Sequence, residues 1–264
     1  MATKSPAISK SKSAVKDAPR RMSLADAMSA LEKAGSAQTR KTYARHGVGE
    51  PMFGVSFADM KTFVKRIKVD QELALALWST GNFDARNLAL KVADPLLMSP
   101  AELDRWASED TARMCHGYVA QLAAEGPHGR SRADAWLASK SEVRRCCGWL
   151  LVSALAMRDE GIALDWFASR VANIEKSIHA APNREREAMN KALISIGGRD
   201  VAARKAALAA AKRIGPVTVD HGDTDCRTPS AIEYIEKAWA HSTAKSFPSP
   251  AAQERSRESM RTRC

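Results

Sequence analysis

The apolar residues of this chain recur at the spacing of an amphipathic helix. Two sets with spacings of three and four residues are Ala85, Leu88, Ala89 and Val92, and Ala188, Met189, Ala192, Leu193 and Ile196. This spacing places each set on one helical face, and no segment of useful length alternates between apolar and polar residues as a half-buried strand would. Residues 146–157 are apolar on nearly every side, which predicts a helix buried between neighbours. The pattern therefore predicts an all-α fold.

Local signals indicate where several helices begin. Four predicted starts are Ser23 with Asp26, Ser56 with Asp59, Ser99 before Pro100, and Thr228 before Pro229. A serine or threonine hydroxyl at such a position accepts a backbone N–H of the first turn, and proline is favoured at the first helical position. Trp136 follows a polar segment that contains glycine, so we expect it to be an exposed aromatic residue.

A weak internal repeat accompanies the helical pattern. Three segments, around Arg86, Arg144 and Arg186, share a basic residue three places before a small or sulfur-containing side chain. The last two arginines are 42 residues apart, which is within the range of HEAT-like helical repeats, whereas the first gap of 58 residues predicts an insertion or an extra helix. In stacked repeats these arginines would either line a concave groove with positive charge or pair with neighbouring repeats.

The chain is strongly basic, and the charge is not confined to one end. Its 264 residues carry a formal net charge of +11, of which residues 1–21 supply +5 and the remaining 243 residues +6. A basic excess attracts polyanions by neutralising phosphates, although basic proteins without a nucleic-acid partner also have it. We interpret residues 1–22 as a disordered basic arm, residues 23–241 as one repeat domain and residues 242–264 as a flexible polar tail.

Other kinds of site are not indicated by the sequence. The five cysteines form no CxxC pair, so the sequence predicts neither a disulfide framework nor a zinc site, and reduced thiols favour a cytoplasmic protein. Residues 220–226 gather histidine, cysteine and carboxylates, but their spacing matches no metal-binding loop, and a turn-rich connector fits better. No run approaches the roughly 18 apolar residues of a membrane span. We therefore expect a monomer with no metal, no cofactor and no membrane association.

Several short motifs, taken in order, resemble one known family. They are YARHGV at residues 43–48, FGVS at 53–56, LWSTGNFDAR at 77–86, Trp106, Arg144-Arg145, Ala192-Leu193 with Ile196-Gly197, and Cys226 before YIEK at 234–237. Together they resemble the AlkD-like DNA alkylation repair family over most of the chain. The resemblance implies a HEAT-like α-solenoid of antiparallel helix pairs. It also implies a DNA glycosylase activity that excises cationic N3- or N7-alkylated purines without requiring the base to be flipped into a pocket.

The resemblance locates the family's catalytic aspartate, and that residue is replaced here. The family has a tryptophan, then three residues, then the aspartate, often with a cysteine just before it. Cys115 sets the register, so that Ala112 stands at the tryptophan position and His116 at the aspartate position. The family's second tryptophan would stand near Asn190 or Lys191 and is also absent.

The resemblance leaves the phosphate-binding function of the family in place. The family's phosphate-binding arginine is retained, most plainly as Arg145. From this we expect a cationic inner wall with no carboxylate at its centre. The candidate DNA-binding residues are Arg45, Arg86, Arg113, Arg144, Arg145, Arg186 and Lys191.

His116 and Glu109 are the candidate catalytic residues. A neutral imidazole at His116 could act as a general base for water, but it cannot supply the negative charge that stabilises a developing oxocarbenium ion. Glu109 lies seven residues earlier and would share a face with His116 if the helix were continuous, so it is a candidate replacement for the aspartate.

Three functions follow from these observations as hypotheses. The first is a DNA-binding member of the repair family that holds the backbone of duplex or branched DNA in a basic groove, with weak or absent glycosylase activity. The second is an active alkylpurine glycosylase that uses a rearranged acid. The third is a HEAT-like protein-interaction scaffold whose charge is incidental.

Overall fold

The computed structural model describes residues 21–109 and 113–263, with the backbone only for residues 113 and 114. Within these ranges the chain forms fourteen α-helices and no strand. The helices are α1 (Leu24–Ala34), α2 (Ala37–Arg45), α3 (Phe57–Ile67), α4 (Gln71–Ser79), α5 (Phe83–Val92), α6 (Pro100–Trp106), α7 (Arg113–Glu125), α8 (Gly129–Leu137), α9 (Glu142–Arg158), α10 (Leu164–Ser177), α11 (Asn183–Gly197), α12 (Val201–Ile214), α13 (Ala231–Ala244) and α14 (Pro250–Arg255). The prediction of an all-α fold is confirmed. Most of the predicted basic arm and Ala112 lie outside the described residues.

Several helices begin at the predicted positions, where a side chain caps the N-terminus. At three of the predicted starts, a serine hydroxyl accepts the backbone N–H three residues later at 3.1–3.2 Å. These serines are Ser23, Ser56 and Ser99. At Ser99 the Glu102 carboxylate also accepts the serine N–H at 2.9 Å, which completes a capping box. The last predicted start is displaced, because α13 is capped by Ser230 rather than by Thr228.

The helices form two layers. In the inner layer, α5, α7, α9, α11 and α13 pack side by side in chain order. Outer helices cover them, with α4 on α5, α8 on α9, and α10 and α12 on α11. Helix α9 is buried along most of its length, which confirms the buried helix predicted for residues 146–157. Successive inner helices therefore share one continuous core and form one continuous wall.

Trp136 is buried and not the exposed aromatic residue that the sequence predicts. Its side chain is fully enclosed, and its indole N–H donates to the Asp104 carboxylate at 2.7 Å. Arg132 donates to the other oxygen of Asp104 at 2.8 Å, so the carboxylate has both a neutral and a charged partner. A tryptophan can be buried when its N–H finds such an acceptor. Of the polar residues before Trp136, Arg132 joins this network, while Asp104 comes from α6, so the polar segment does not place Trp136 at the surface.

The C-terminal segment is packed, which differs from the flexible tail predicted for residues 242–264. Helix α14 packs against α9 and α13, with Ala251 fully buried. Beyond it, the Arg261 side chain is 5% exposed and pairs with Glu125 at 2.9 Å. Arg261 also donates to the carbonyl oxygen of Leu90 at 2.5 Å. The segment stays in place because its arginine meets acceptors from α5 and α7, which are far away in sequence.

Candidate functional site

A pocket of 790 Å³ opens on the inner layer, and we call it the central pocket. Its walls are residues of α7, α9 and α11, and Met260 of the C-terminal segment closes one side. The polar and charged lining residues are His116, Tyr118 and Gln121 on α7, Glu142 and Ser153 on α9, and Asn183, Arg184, Glu187 and Lys191 on α11. The pocket thus lies where three consecutive inner helices meet.

The lining residues of each helix share one face. On α11, Arg184, Glu187 and Lys191 are spaced by three and four residues, which aligns them along the helix surface. The packing of α9 against α11 fixes the two faces relative to each other, and the Ser153 and Ser195 hydroxyls lie 2.7 Å apart between them. The sequence pattern of α11 therefore both builds the core and directs three charged side chains to the pocket.

All three helices begin near the pocket. The residues of α7, α9 and α11 that line it include His116, Glu142, Val143, Asn183 and Arg184, which belong to the first turns of these helices. Helix N-termini carry a partial positive charge and unpaired backbone N–H groups. No described side chain caps the N-terminus of α11. The pocket thus has a backbone contribution to positive potential in addition to its side chains.

The charged side chains of the pocket are of both signs. Glu142 and Glu187 are half-buried carboxylates, while Arg184 is an exposed cation on the same wall as Glu187. The expectation of an inner wall without a carboxylate at its centre is therefore wrong for this pocket. Glu142 is the first residue of α9 and Glu187 lies in the second turn of α11, so neither stands at the family's aspartate position on α7.

Lys191 lies in an environment that disfavours its charge. It is accessible from the pocket, yet the surrounding walls displace much of the water near its ammonium group, and this desolvation lowers its pKa. Nearby Cys146 is buried, which raises the pKa of its thiol to about 12. The cysteine is therefore a thiol at neutral pH, and the Lys191 ammonium loses its proton more readily than that of a fully solvated lysine.

His116 lines the pocket, but Glu109 does not. His116 is 3% exposed, and its Nε2 lies 3.4 Å from the backbone oxygen of Glu109. The Glu109 carboxylate instead forms an ion pair with Arg86. The structure therefore brings only the main chain of Glu109 toward His116, and the two candidate catalytic side chains do not face one site.

Three of the predicted DNA-binding arginines hold preceding helices in place. Arg86 donates to the carbonyl oxygen of Trp78, at the end of α4, and lies over the Trp78 ring at 5.0 Å. Arg186 donates at 2.9–3.3 Å to four backbone oxygens, those of Ile178, His179, Ala181 and Thr218. Arg145 donates to the oxygens of Ser139 and Lys140, just after α8. For Arg86 and Arg186, two of the repeat arginines, these contacts favour the alternative in which they pair with neighbouring repeats.

Arg145 and Arg144 have further partners inside the protein. Arg145 binds the buried Glu185 carboxylate through two hydrogen bonds of 2.9 and 3.0 Å, and these bonds raise the pKa of its guanidinium. Arg144 donates to the Ser108 hydroxyl at 3.0 Å. Neither side chain lines the central pocket, so the line of free positive charge predicted along the groove is not formed by these residues.

The remaining predicted DNA-binding residues have different positions. Lys191 lines the central pocket, and Arg45 is exposed at the end of α2. The side chain of Arg113 lies outside the described residues. Arg184 is a pocket cation that the sequence reasoning missed, and its spacing of seven residues from Lys191 on one helical pattern is the signal that could have found it.

Two other predictions concern metals and membranes. Across residues 21–109 and 113–263, no group of three or more histidine, cysteine or carboxylate side chains is arranged to hold a metal ion. In the 220–226 loop, the His221 ring lies 3.1 Å from the Thr228 hydroxyl. Among the helices described above, none combines the length and apolar character that a membrane crossing needs.

Comparison with known proteins adds three findings. The family model for "DNA alkylation repair enzyme" matches residues 27–235. Uncharacterized protein Lin0241 of Listeria innocua is 26% identical over 215 residues, and Uncharacterized protein Lmo0209 of Listeria monocytogenes is 26% identical over 214 residues. Each match covers 79% of this chain and 93% of the relative. A solved structure from "a new family of proteins related to the HEAT-like repeat DNA glycosylases with affinity for branched DNA structures" is similar with a TM-score of 0.76 and 31% identity, over 86% of this chain and 96% of that chain. This likeness confirms the predicted HEAT-like solenoid.

Proposed function

Because the chain belongs to the DNA alkylation repair enzyme family, we propose that it binds duplex or branched DNA at the central pocket, as a monomer, with weak or absent glycosylase activity. The observation that carries this proposal is the meeting of three helix N-termini with Arg184 and Lys191 at one pocket. Helix N-termini and cations together form a site for phosphate groups. The affinity for branched DNA of the similar solved protein supports the same partner.

The contacts in this proposal are made to the DNA backbone and not to base edges. Arg184 and the uncapped first turn of α11 bind a phosphate, and Lys191 lies one to two turns deeper along the same face. Exposed cations elsewhere, including Arg45, extend the attraction beyond the pocket. Such contacts position DNA without reading its sequence, which suits a protein that recognises structure or damage.

The weak or absent glycosylase activity follows from the residue at the family's aspartate position. His116 cannot carry the negative charge that favours the oxocarbenium ion, and in its protonated form it would repel both the sugar cation and the cationic base. The Glu109 carboxylate, paired with Arg86, does not line the pocket to replace it. The family mechanism therefore lacks its anion at the expected place.

A binding measurement with charge-reversed variants tests the proposal. Fluorescence anisotropy of labelled branched and duplex DNA gives the affinity of the wild type, of Arg184→Glu and of Lys191→Glu. Both substitutions weaken binding because each removes an attraction and adds a repulsion at the pocket. The matched control is Lys205→Glu on α12, where an exposed lysine lies away from the pocket. Equal affinities for all four proteins would contradict the proposal, and absence of DNA binding would favour the scaffold alternative.

The active glycosylase remains a second candidate, because Glu142 and Glu187 line the pocket. A carboxylate beside the deoxyribose could stabilise the developing cation from a different helix than the family's aspartate. Release of 7-methylguanine from methylated DNA measures this directly. Activity that is lost in Glu142→Gln or Glu187→Gln would establish this candidate, whereas no release by the wild type, in DNA that it binds, would exclude it.

A further inference from the structure

Lys191 is a primary amine placed on the wall of the central pocket. It lies on α11 one turn after Glu187 and faces the same space as His116 on α7. The pocket volume of 790 Å³ lies within the range of about 300–1,000 Å³ that is usual for small-molecule sites, so a sugar can enter it. An amine, a carboxylate and an imidazole thus converge on a cavity that could accept one deoxyribose.

Lys191 is exposed at the pocket, and the pocket walls give its amine less water than a fully solvated lysine has. Desolvation by the pocket walls lowers the pKa of Lys191, which increases the fraction of neutral amine at physiological pH. Neutral amines are nucleophiles toward carbonyl carbon, whereas ammonium groups are not. The pocket cysteine does not compete, because burial raises the pKa of Cys146 to about 12 and keeps it protonated.

Lys91, which is buried, shows by contrast what a structural role requires. Lys91 is 1% exposed, donates to the backbone oxygen of Arg261 at 2.8 Å, and lies 4.2 Å from the centre of the Tyr118 ring. Its ammonium group is therefore stabilised as a cation by a carbonyl and an aromatic face. Lys191 instead faces a cavity that a ligand can enter.

We propose that Lys191 forms a Schiff base with the aldehyde of an abasic site and cleaves the DNA strand by β-elimination. This inference rests on the proposed function, since the abasic strand must first bind at the central pocket. The ligand class is DNA that carries a ring-opened deoxyribose, whose C1′ aldehyde is the electrophile. The activity would be distinct from base excision, because no glycosidic bond remains to be broken.

The reaction needs no oxidant or reductant. The Lys191 nitrogen attacks C1′ to form a carbinolamine, which loses water to give a protonated imine. A base then removes a proton from C2′, the C3′–O bond breaks, and the 3′ phosphate leaves with the bonding electrons. The products are an unsaturated imine on one fragment and a 5′-phosphate on the other, and hydrolysis of the imine with one water returns the free lysine.

Neighbouring groups can carry the protons of this sequence. The Glu187 carboxylate, one helical turn from Lys191, can accept the C2′ proton, and His116 on the facing helix can donate a proton to the carbinolamine hydroxyl, which then leaves as water. Arg184 and the first turn of α11 can hold the phosphate beside the sugar. This chemistry needs both a carboxylate and cations in the pocket, whereas phosphate binding alone would need only the cations.

Reductive trapping tests the proposal on the full-length protein. An oligonucleotide with one abasic site, made by removal of uracil, is incubated with protein and sodium borohydride, and the crosslinked product is separated by denaturing electrophoresis. The wild type and the control Lys205→Ala form the crosslink. Lys191→Arg loses the crosslink, because the guanidinium keeps the charge but forms no Schiff base; its DNA affinity is measured by anisotropy, and the crosslinks are compared at protein concentrations that bind the same fraction of DNA.

Two results would overturn the proposal. One is the absence of a crosslink with the wild type. If the wild type still binds the DNA, only the Schiff-base proposal fails; if it does not bind, the proposed DNA-binding function fails as well. The other is an undiminished crosslink in both Lys191→Arg and Lys191→Ala, which would assign the trapping to another amine. Mass spectrometry of the trapped peptide identifies the attached residue and is expected to return the segment that contains Lys191.

Discussion

The arginines of the inner helices show how one side chain can have different roles at similar sequence positions. Arg145 reaches backbone oxygens beyond the end of α8 and the buried carboxylate of Glu185, whereas Arg184 is exposed at the central pocket. Both lie near the start of an inner helix. The difference arises from which face of the helix each residue occupies, and therefore from which acceptors lie within reach.

At the residue scale, Arg145→Met should reduce the free energy of unfolding by about 3 kcal/mol, because it leaves the carboxylate of Glu185 buried without its charged partner. The side chain of Glu185 is 7% exposed. Arg184→Met is the matched control and should change stability by only about 0.5 kcal/mol, since an exposed substitution removes little packing. Urea unfolding of both variants measures this difference, and equal losses would contradict the bracing role of Arg145.

Lys191 should cost stability at neutral pH, because folding moves its amine to a place that disfavours the charge. Its pKa is lowered on folding, so between the folded and unfolded pKa values the unfolded state binds more protons and stability rises with pH. Lys191→Met should therefore unfold at a higher temperature than the wild type at pH 7. This advantage should shrink as the pH approaches the ordinary lysine value of 10.5. A pH-independent difference in melting temperature would contradict this assignment.

At the scale of helices, the sequence predicts what depends on neighbouring residues in the chain. Ser56 and Ser99 cap helices at the predicted places because the hydroxyl and the N–H that it accepts are three residues apart. The burial of α9 follows from its own apolar composition. In contrast, the enclosure of Trp136 depends on Asp104 from another helix, and the position of Glu142 in the pocket depends on the stacking of α7, α9 and α11.

The C-terminal segment should contribute strongly to stability, because it contacts both α5 and α7. Arg261 pairs with Glu125 and donates to the backbone oxygens of Leu90 and Ala93, at the end of α5. Arg261→Met should lower the free energy of unfolding by about 3 kcal/mol, since it removes the charged partner of the mostly buried Glu125 carboxylate, which keeps the Ser259 hydroxyl as a hydrogen-bond donor. Arg263→Met is the control, because the side chain of Arg263 is 32% exposed. Equal unfolding midpoints for the two variants would contradict the stabilising role of Arg261.

At the scale of the whole molecule, the two-layer solenoid directs the starts of three inner helices toward one pocket. The motifs of the chain predicted this fold and family correctly, because the packing of the repeats depends on helical patterns that are local in the sequence. They did not predict which arginines line the pocket, because that depends on contacts between helices about 40 residues apart, such as those of Arg145 with Glu185. Some of the basic residues behind the net charge of +11 therefore form hydrogen bonds and ion pairs within the protein. Arg184 and Lys191 are the cations that line the central pocket.

The salt dependence of DNA binding tests the central claim most directly, since phosphate contacts release counterions. The logarithm of the binding constant, plotted against the logarithm of the salt concentration, should fall steeply for the wild type and for Lys205→Ala. In the double variant Arg184→Ala with Lys191→Ala, the slope should be smaller by about 2, or about 1 for each lost phosphate contact. A flat plot for the wild type, or an unchanged slope in the double variant, would contradict DNA binding at the central pocket.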